Sequence, residues 1–266
     1  MFSLYVVLAA GLVTVAIGQA NPDRWSPSDY PNPRMPNSGS YSCLRKQKKS
    51  YICDPNTLIS FEDANMLDKD LERIANNSRC LCSASECNRR QQNKEPRGTR
   101  MAVALMQEMK REVDGEDSDE KRIGDAQSFA HRLYPNWNLG GECHDVVLLI
   151  YSKHENVLYV ATGPAASQVV SNMDLNRILA DSRQYFSSGN DENSRRKLKE
   201  GLQRLINDFK TAFIRGQYIP RKWHGGRSEY SPGSAGQSGR RSSAFMNTFS
   251  GLLTMTALFI SFLVIY

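Results

Sequence analysis

Apolar residues recur at helical spacing in four segments of the chain. The first helix is predicted to begin after Ser60, with Asp63 in the capping-box position. A second helix is expected to begin at Asp125 and to end at Pro135, and a shorter one covers residues 174–182. The last helix is predicted to have Ser194 as its cap. Its buried stripe consists of Leu198, Leu202, Leu205, Ile206, Phe209 and Phe213.

Continuous apolar runs at 101–106, 146–151 and 157–161 predict three strands. The polar residues 152–156 separate the second run from the third, which indicates a β-hairpin. The resulting order is helix, strand, helix, strand, strand, helix, helix. This order predicts an α/β fold, in which a single domain has a small mixed β-sheet flanked by helices.

Uncharged hydrophobic segments stand at both ends of the 266 residues. Residues 1–20 have the short apolar core and small residues of a signal peptide. Residues 244–266 are predicted to form a transmembrane helix or the removable tail of a GPI signal. Between them we expect an irregular arm (21–42), an extracellular domain (43–216) and a Gly/Ser/Arg-rich stalk (217–243). The protein is thus expected at the plasma membrane, single-pass or GPI-anchored, with its domain outside.

The cysteine count fits an extracellular domain. An even number in a secreted chain predicts three disulfides, with Cys43–Cys53 as the natural local pair and the rest left open. A zinc site built from the cysteine cluster and His144 is disfavoured, because C-x-C-x4-C is not the usual knuckle spacing. The sequon at Asn76 predicts a glycan. The six cysteines are Cys43, Cys53, Cys80, Cys82, Cys87 and Cys143.

The net charge of +6 comes largely from basic clusters at 45–49, 89–100 and 195–199. We expect no nucleic-acid partner for these basic clusters, because the domain is predicted to lie outside the cell. Scattered, solvated lysines and arginines are the simplest interpretation, and a basic face for an acidic receptor or for lipid headgroups is the alternative.

Catalytic motifs do not emerge from the sequence. It contains no nucleophile elbow, P-loop, dinucleotide fingerprint or H-E-x-x-H motif. His144 and Asp145, just before the central strand, are the only site candidates, and neighbouring strand residues point to opposite faces. The acidic loop 114–120 could attract Ca²⁺ but lacks the EF-hand order. We therefore assign no catalytic residue, metal ligand or cofactor, and predict that the protein is not an enzyme.

Several of these pieces resemble a known family. Cys53-Asp54-Pro55 before Leu58-Ile59-Ser60 resembles the opening of a TPM-type domain. The strand 101–106, the helix 125–137 with Gly140-Gly141, and the hairpin from Asp145 to Gly163 resemble its centre. With the cysteines and the two hydrophobic ends, the chain is similar to the modulator of levamisole receptor family. That resemblance implies an auxiliary protein of an acetylcholine-gated channel, which increases gating without conducting ions.

The resemblance also carries an alternative. Other TPM-type domains are linked to phosphatase activity or metal binding, which would make this protein an extracellular hydrolase acting through Asp145, His144 and the acidic loop. The Asp-Asn-Gly turn of those domains is here His144-Asp145-Val146, so only Asp145 survives. This departure favours the receptor-modulating hypothesis.

Overall fold

A computed structural model describes residues 21–36, 38–111, 118–139 and 143–218. The expected signal peptide, the stalk from residue 219 onward, the C-terminal hydrophobic segment, the Gly140-Gly141 turn and most of the acidic loop lie outside these residues. Within the described residues, no helix combines the length and the apolar character that a membrane crossing requires.

A four-stranded mixed sheet forms the centre of the domain. Its order is β2-β3-β5-β6, with the first three strands parallel and β6 antiparallel to β5. A separate parallel pair joins β1 to β4. The mixed sheet and its hairpin confirm the prediction. The strands are β1 (Arg24–Trp25), β2 (Ile52–Cys53), β3 (Arg100–Met106), β4 (Glu108–Met109), β5 (Val146–Ser152) and β6 (Val157–Thr162).

Helices cover both faces of this sheet. One core lies between the sheet and α1, α4 and α5, and a second lies between the sheet and α3. Because strand side chains alternate, Val103 faces the first core and Ala104 the second. This is why β3 and β5 are apolar throughout. The helices are α1 (Phe61–Asn77), α2 (Ala84–Gln92), α3 (Asp119–Trp137), α4 (Asn172–Ser182) and α5 (Glu192–Arg215).

Two helix starts were predicted too late. Helix α3 begins at Asp119, because the Ser118 side chain caps it by accepting the Lys121 N–H. Asp125 therefore lies inside the helix, as does the expected breaker Pro135. Helix α5 is capped by Asp191 instead of Ser194. In both cases a polar cap precedes the first apolar residue by more than one turn, so the apolar pattern alone places the start too late.

The N-terminal arm is mostly irregular, and it is packed into the domain. Trp25 and Tyr30 are buried in the second core. The Tyr30 hydroxyl lies 3.0 Å from the Cys53 carbonyl oxygen and 2.7 Å from that of Leu105. The Trp25 indole N–H donates to Asn56 Oδ1 at 2.7 Å. The arm therefore closes the α3 side of the sheet.

Candidate functional site

Three disulfides engage all six cysteines. Cys43 pairs with Cys53, which confirms the local pair. The pairing that the sequence left open is Cys80–Cys87 and Cys82–Cys143. The last bond ties the segment before α2 to the segment before β5. We call the region around α2 and this bond the cystine end of the domain.

Asp145 lies at the cystine end in a buried ion pair. Arg90 Nη1 is 2.7 Å from Asp145 Oδ2, and Nη2 is 2.9 Å from Oδ1, so the contact is bidentate. Both side chains are fully buried. Arg90 Nε also donates to Glu86 Oε1 at 3.1 Å, and the two carboxylates together keep the pKa of the guanidinium raised. Asp145 thus fixes α2 against the start of β5.

The His144 side chain is exposed, whereas the side chain of Asp145 is buried. The His144 backbone has a φ of 51°, and its exposed ring places Nδ1 2.8 Å from the Tyr134 hydroxyl. Its carbonyl oxygen packs so closely on Gly163 that a β-carbon there would lie only 1.9 Å away. The two predicted candidates therefore have different partners, since the His144 ring contacts Tyr134 and the Asp145 carboxylate contacts Arg90.

Two clusters in the described part of the chain could in principle hold a metal ion, because their potential ligand atoms lie within 4.8 Å of one another. Cys82, Cys143 and Asp145 form one group, but its sulfurs are joined in a disulfide and offer no thiolate. Glu108 and Glu155 form the other with His154. Glu108 is paired with Arg24 at 2.5 Å, which lowers its pKa.

Glu155 is also engaged, since it accepts the Ser152 hydroxyl and the Met109 N–H. Both carboxylates of the second group therefore have protein partners, and we assign no metal to it.

A buried carboxyl marks the opposite end of the sheet, where β2 ends. Asp54 follows Cys53 and accepts the N–H groups of Leu58 and Ile59, at 2.9 and 3.0 Å. Burial raises its pKa to about 6, and the two N–H bonds oppose this rise. Asp54 thus shapes the turn into α1. We call this end, around Asp54 and the first turn of α1, the loop end.

Asp54 makes stability depend on pH. Its folded pKa of about 6 lies above the ordinary value of 3.8, so the folded state holds the proton more tightly. The carboxyl therefore stabilises the fold most below pH ~4, and about 3 kcal/mol is lost as the pH rises through ~6. The Asp54→Asn variant lacks this titration. We expect the difference in unfolding free energy, wild type minus variant, to fall by that amount between pH ~4 and ~7 in denaturant titrations. A constant difference would contradict the raised pKa.

The sequence did not indicate Arg90, Glu86 or Asp54 as interacting residues. Arg90 belongs to a basic cluster that predicts a solvated surface, and only its spacing to Glu86, one helical turn, hints at pairing. Asn76, the predicted glycan acceptor, is exposed in the last turn of α1. Its glycosylation stays a prediction.

Comparison with known proteins identifies the class. The family model described as "Modulator of levamisole receptor-1" matches residues 25–156, which run from the buried Trp25 through the β5–β6 turn. The chain belongs to this family, and its described part is a disulfide-braced α/β domain. The solution NMR structure of the N-terminal domain of a protein from P. gingivalis is similar at 18% identity, covering 74% of this chain and 98% of that one, with a TM-score of 0.45. No curated protein matches the chain.

Proposed function

We propose that this protein is a membrane-tethered extracellular auxiliary protein that modulates a levamisole-type acetylcholine-gated channel and is not an enzyme. The family match over residues 25–156 carries the proposal. The chemistry at the cystine end agrees with it, because Asp145 is held by Arg90 and the cysteines are held in disulfides. These groups are used in contacts that hold the segments before and in α2 against the start of β5.

A rigid domain modulates a channel by binding its open form better than its closed form. A coupling free energy of about 1–3 kcal/mol changes such an equilibrium roughly 5- to 150-fold. Tethering to the same membrane supplies a high effective concentration, so a weak contact suffices. The tether is proposed to be either the C-terminal span or a GPI anchor.

Co-expression tests the proposal. The full chain is expressed with levamisole-sensitive receptor subunits, and agonist-evoked currents are recorded with surface labelling of both proteins. We expect larger currents and altered kinetics at equal receptor density. An unrelated GPI-anchored protein is the control, and phosphatidylinositol-specific phospholipase distinguishes the two anchors by release from the cells. Unchanged currents for every receptor combination, with the chain at the surface, would refute modulation.

A further inference from the structure

A short loop at the loop end carries four basic residues among six. The Cys43–Cys53 disulfide closes it, with the two Cα atoms 4.5 Å apart. We define the basic loop as residues 44–49, which contain Arg45, Lys46, Lys48 and Lys49 and no acidic residue. The basic loop is therefore short, closed at its base by a disulfide and positively charged.

Arg45 fixes this loop to α1. Its side chain points inward and is only 5% exposed as a residue. Nε donates to Ser50 Oγ at 3.3 Å, and Nη2 donates to Asn65 Oδ1 at 2.7 Å. Nη2 is also 3.5 Å from Asp68 Oδ2. One basic residue of the loop is thus used as an internal anchor, which leaves the lysines for the outside.

The backbone of the loop is held in an unfavourable conformation. Leu44, Lys46 and Gln47 have φ values of 55°, 49° and 59°, in the left-handed region that non-glycine residues rarely adopt. Such a conformation is unfavourable for a non-glycine residue and persists only where the surroundings impose it. Here the disulfide and Arg45 impose it. The result is a preformed loop with Lys46, Lys48, Lys49 and Leu44 exposed.

A second basic segment lies beside the loop. Lys46 Nζ is 4.5 Å from the centroid of the Phe61 ring, and Lys199 Nζ is 3.3 Å from Asp63 Oδ1. Phe61 and Asp63 both belong to the first turn of α1. The fold therefore brings the clusters 45–49 and 195–199, from opposite ends of the domain sequence, to the same place. Glu62, Asp191, Glu192 and Glu200 are exposed acids on α1 and around the start of α5, whereas residues 44–49 contain no acid.

We propose that the basic loop, with the start of α5 beside it, docks on an acidic surface of the extracellular part of the receptor. This docking surface rests on the proposed function, and it specifies which part of the domain binds the receptor. A preformed loop avoids the ordering cost of binding, which benefits a partner of fixed shape. Complementary charge adds specificity and speeds association. Lipid headgroups fit less well, because anionic lipid is concentrated in the cytoplasmic leaflet.

Charge reversal with a matched control tests the contact. The loop variant is Lys46→Glu/Lys48→Glu/Lys49→Glu. The control variant, Arg79→Glu/Lys94→Glu/Arg97→Glu, makes the same charge change on exposed residues at the opposite end of α1, about 25 Å away. Full-length chains in detergent are titrated with a labelled oligo-glutamate peptide. The same chains are co-expressed with the receptor for co-purification and current recording.

We expect the loop variant to bind the peptide and the receptor at least about tenfold more weakly, and the control to change by about twofold or less. Modulation that survives in the loop variant would overturn the docking surface and leave the proposed function intact. Loop-dependent peptide binding without any modulation by the wild type would support an acidic partner and refute the receptor function. Phosphatidylserine vesicles are titrated in parallel, and loop-dependent binding to the vesicles alone would overturn the proposal in favour of a membrane.

Discussion

Arg90→Ala is expected to lower the free energy of unfolding by about 3–5 kcal/mol. The substitution leaves the fully buried carboxylate of Asp145 without its bidentate partner, and the interior cannot solvate that charge. It also removes the Nε bond to Glu86. Denaturant titration of the purified full chain, with an intact set of disulfides, measures the loss.

The neighbouring arginine supplies the control for this variant. Arg89 makes the same kind of contact to Glu86, at 2.7 Å, but its side chain is 49% exposed. Arg89→Ala is therefore expected to cost less than about 1 kcal/mol. Combining Arg90→Met with Asp145→Leu removes both buried charges and should recover most of the loss. Equal effects of Arg89→Ala and Arg90→Ala would contradict a buried, charge-dependent contact.

Where the sequence predicted the fold well, one local pattern was sufficient. The runs containing Val103, Leu149 and Val160 are apolar on both faces, and all three residues are fully buried between the two helical layers. The cap at Ser60 is followed by its helix as predicted, since a cap and its first turn are adjacent in the chain. Cys43 and Cys53 are close enough in sequence that their pairing needed no knowledge of the fold.

The candidate site could not be predicted in the same way, because its contacts are long-range. Arg90 and Asp145 are 55 residues apart, and a basic helix such as α2 has no apolar stripe to show that one of its arginines is buried. Asp145 therefore looked like a free carboxylate. The basic loop was recognisable as a cluster, but its proximity to Lys199 depends on how α5 packs beside α1.

Removing the Cys82–Cys143 disulfide is expected to lower the free energy of unfolding by about 4 kcal/mol. The two cysteines are separated by 61 residues, so the bond restricts the unfolded chain far more than a local disulfide. It also joins the segment before α2 to the segment before β5, next to the contact between Arg90 and Asp145. The double variant Cys82→Ala/Cys143→Ala, unfolded by denaturant without reductant, measures the effect.

Cys80→Ala/Cys87→Ala is the matched variant, because its bond lies at the same end of the domain but spans only 7 residues. Chain entropy predicts a loss of about 2 kcal/mol for this shorter loop. A further Arg90→Ala substitution in the Cys82/Cys143 variant should cost a different amount than it does in the wild type, since the disulfide and the ion pair hold the same two segments together. Strictly additive losses would show that they act independently, and a larger loss for the shorter loop would contradict the entropic account.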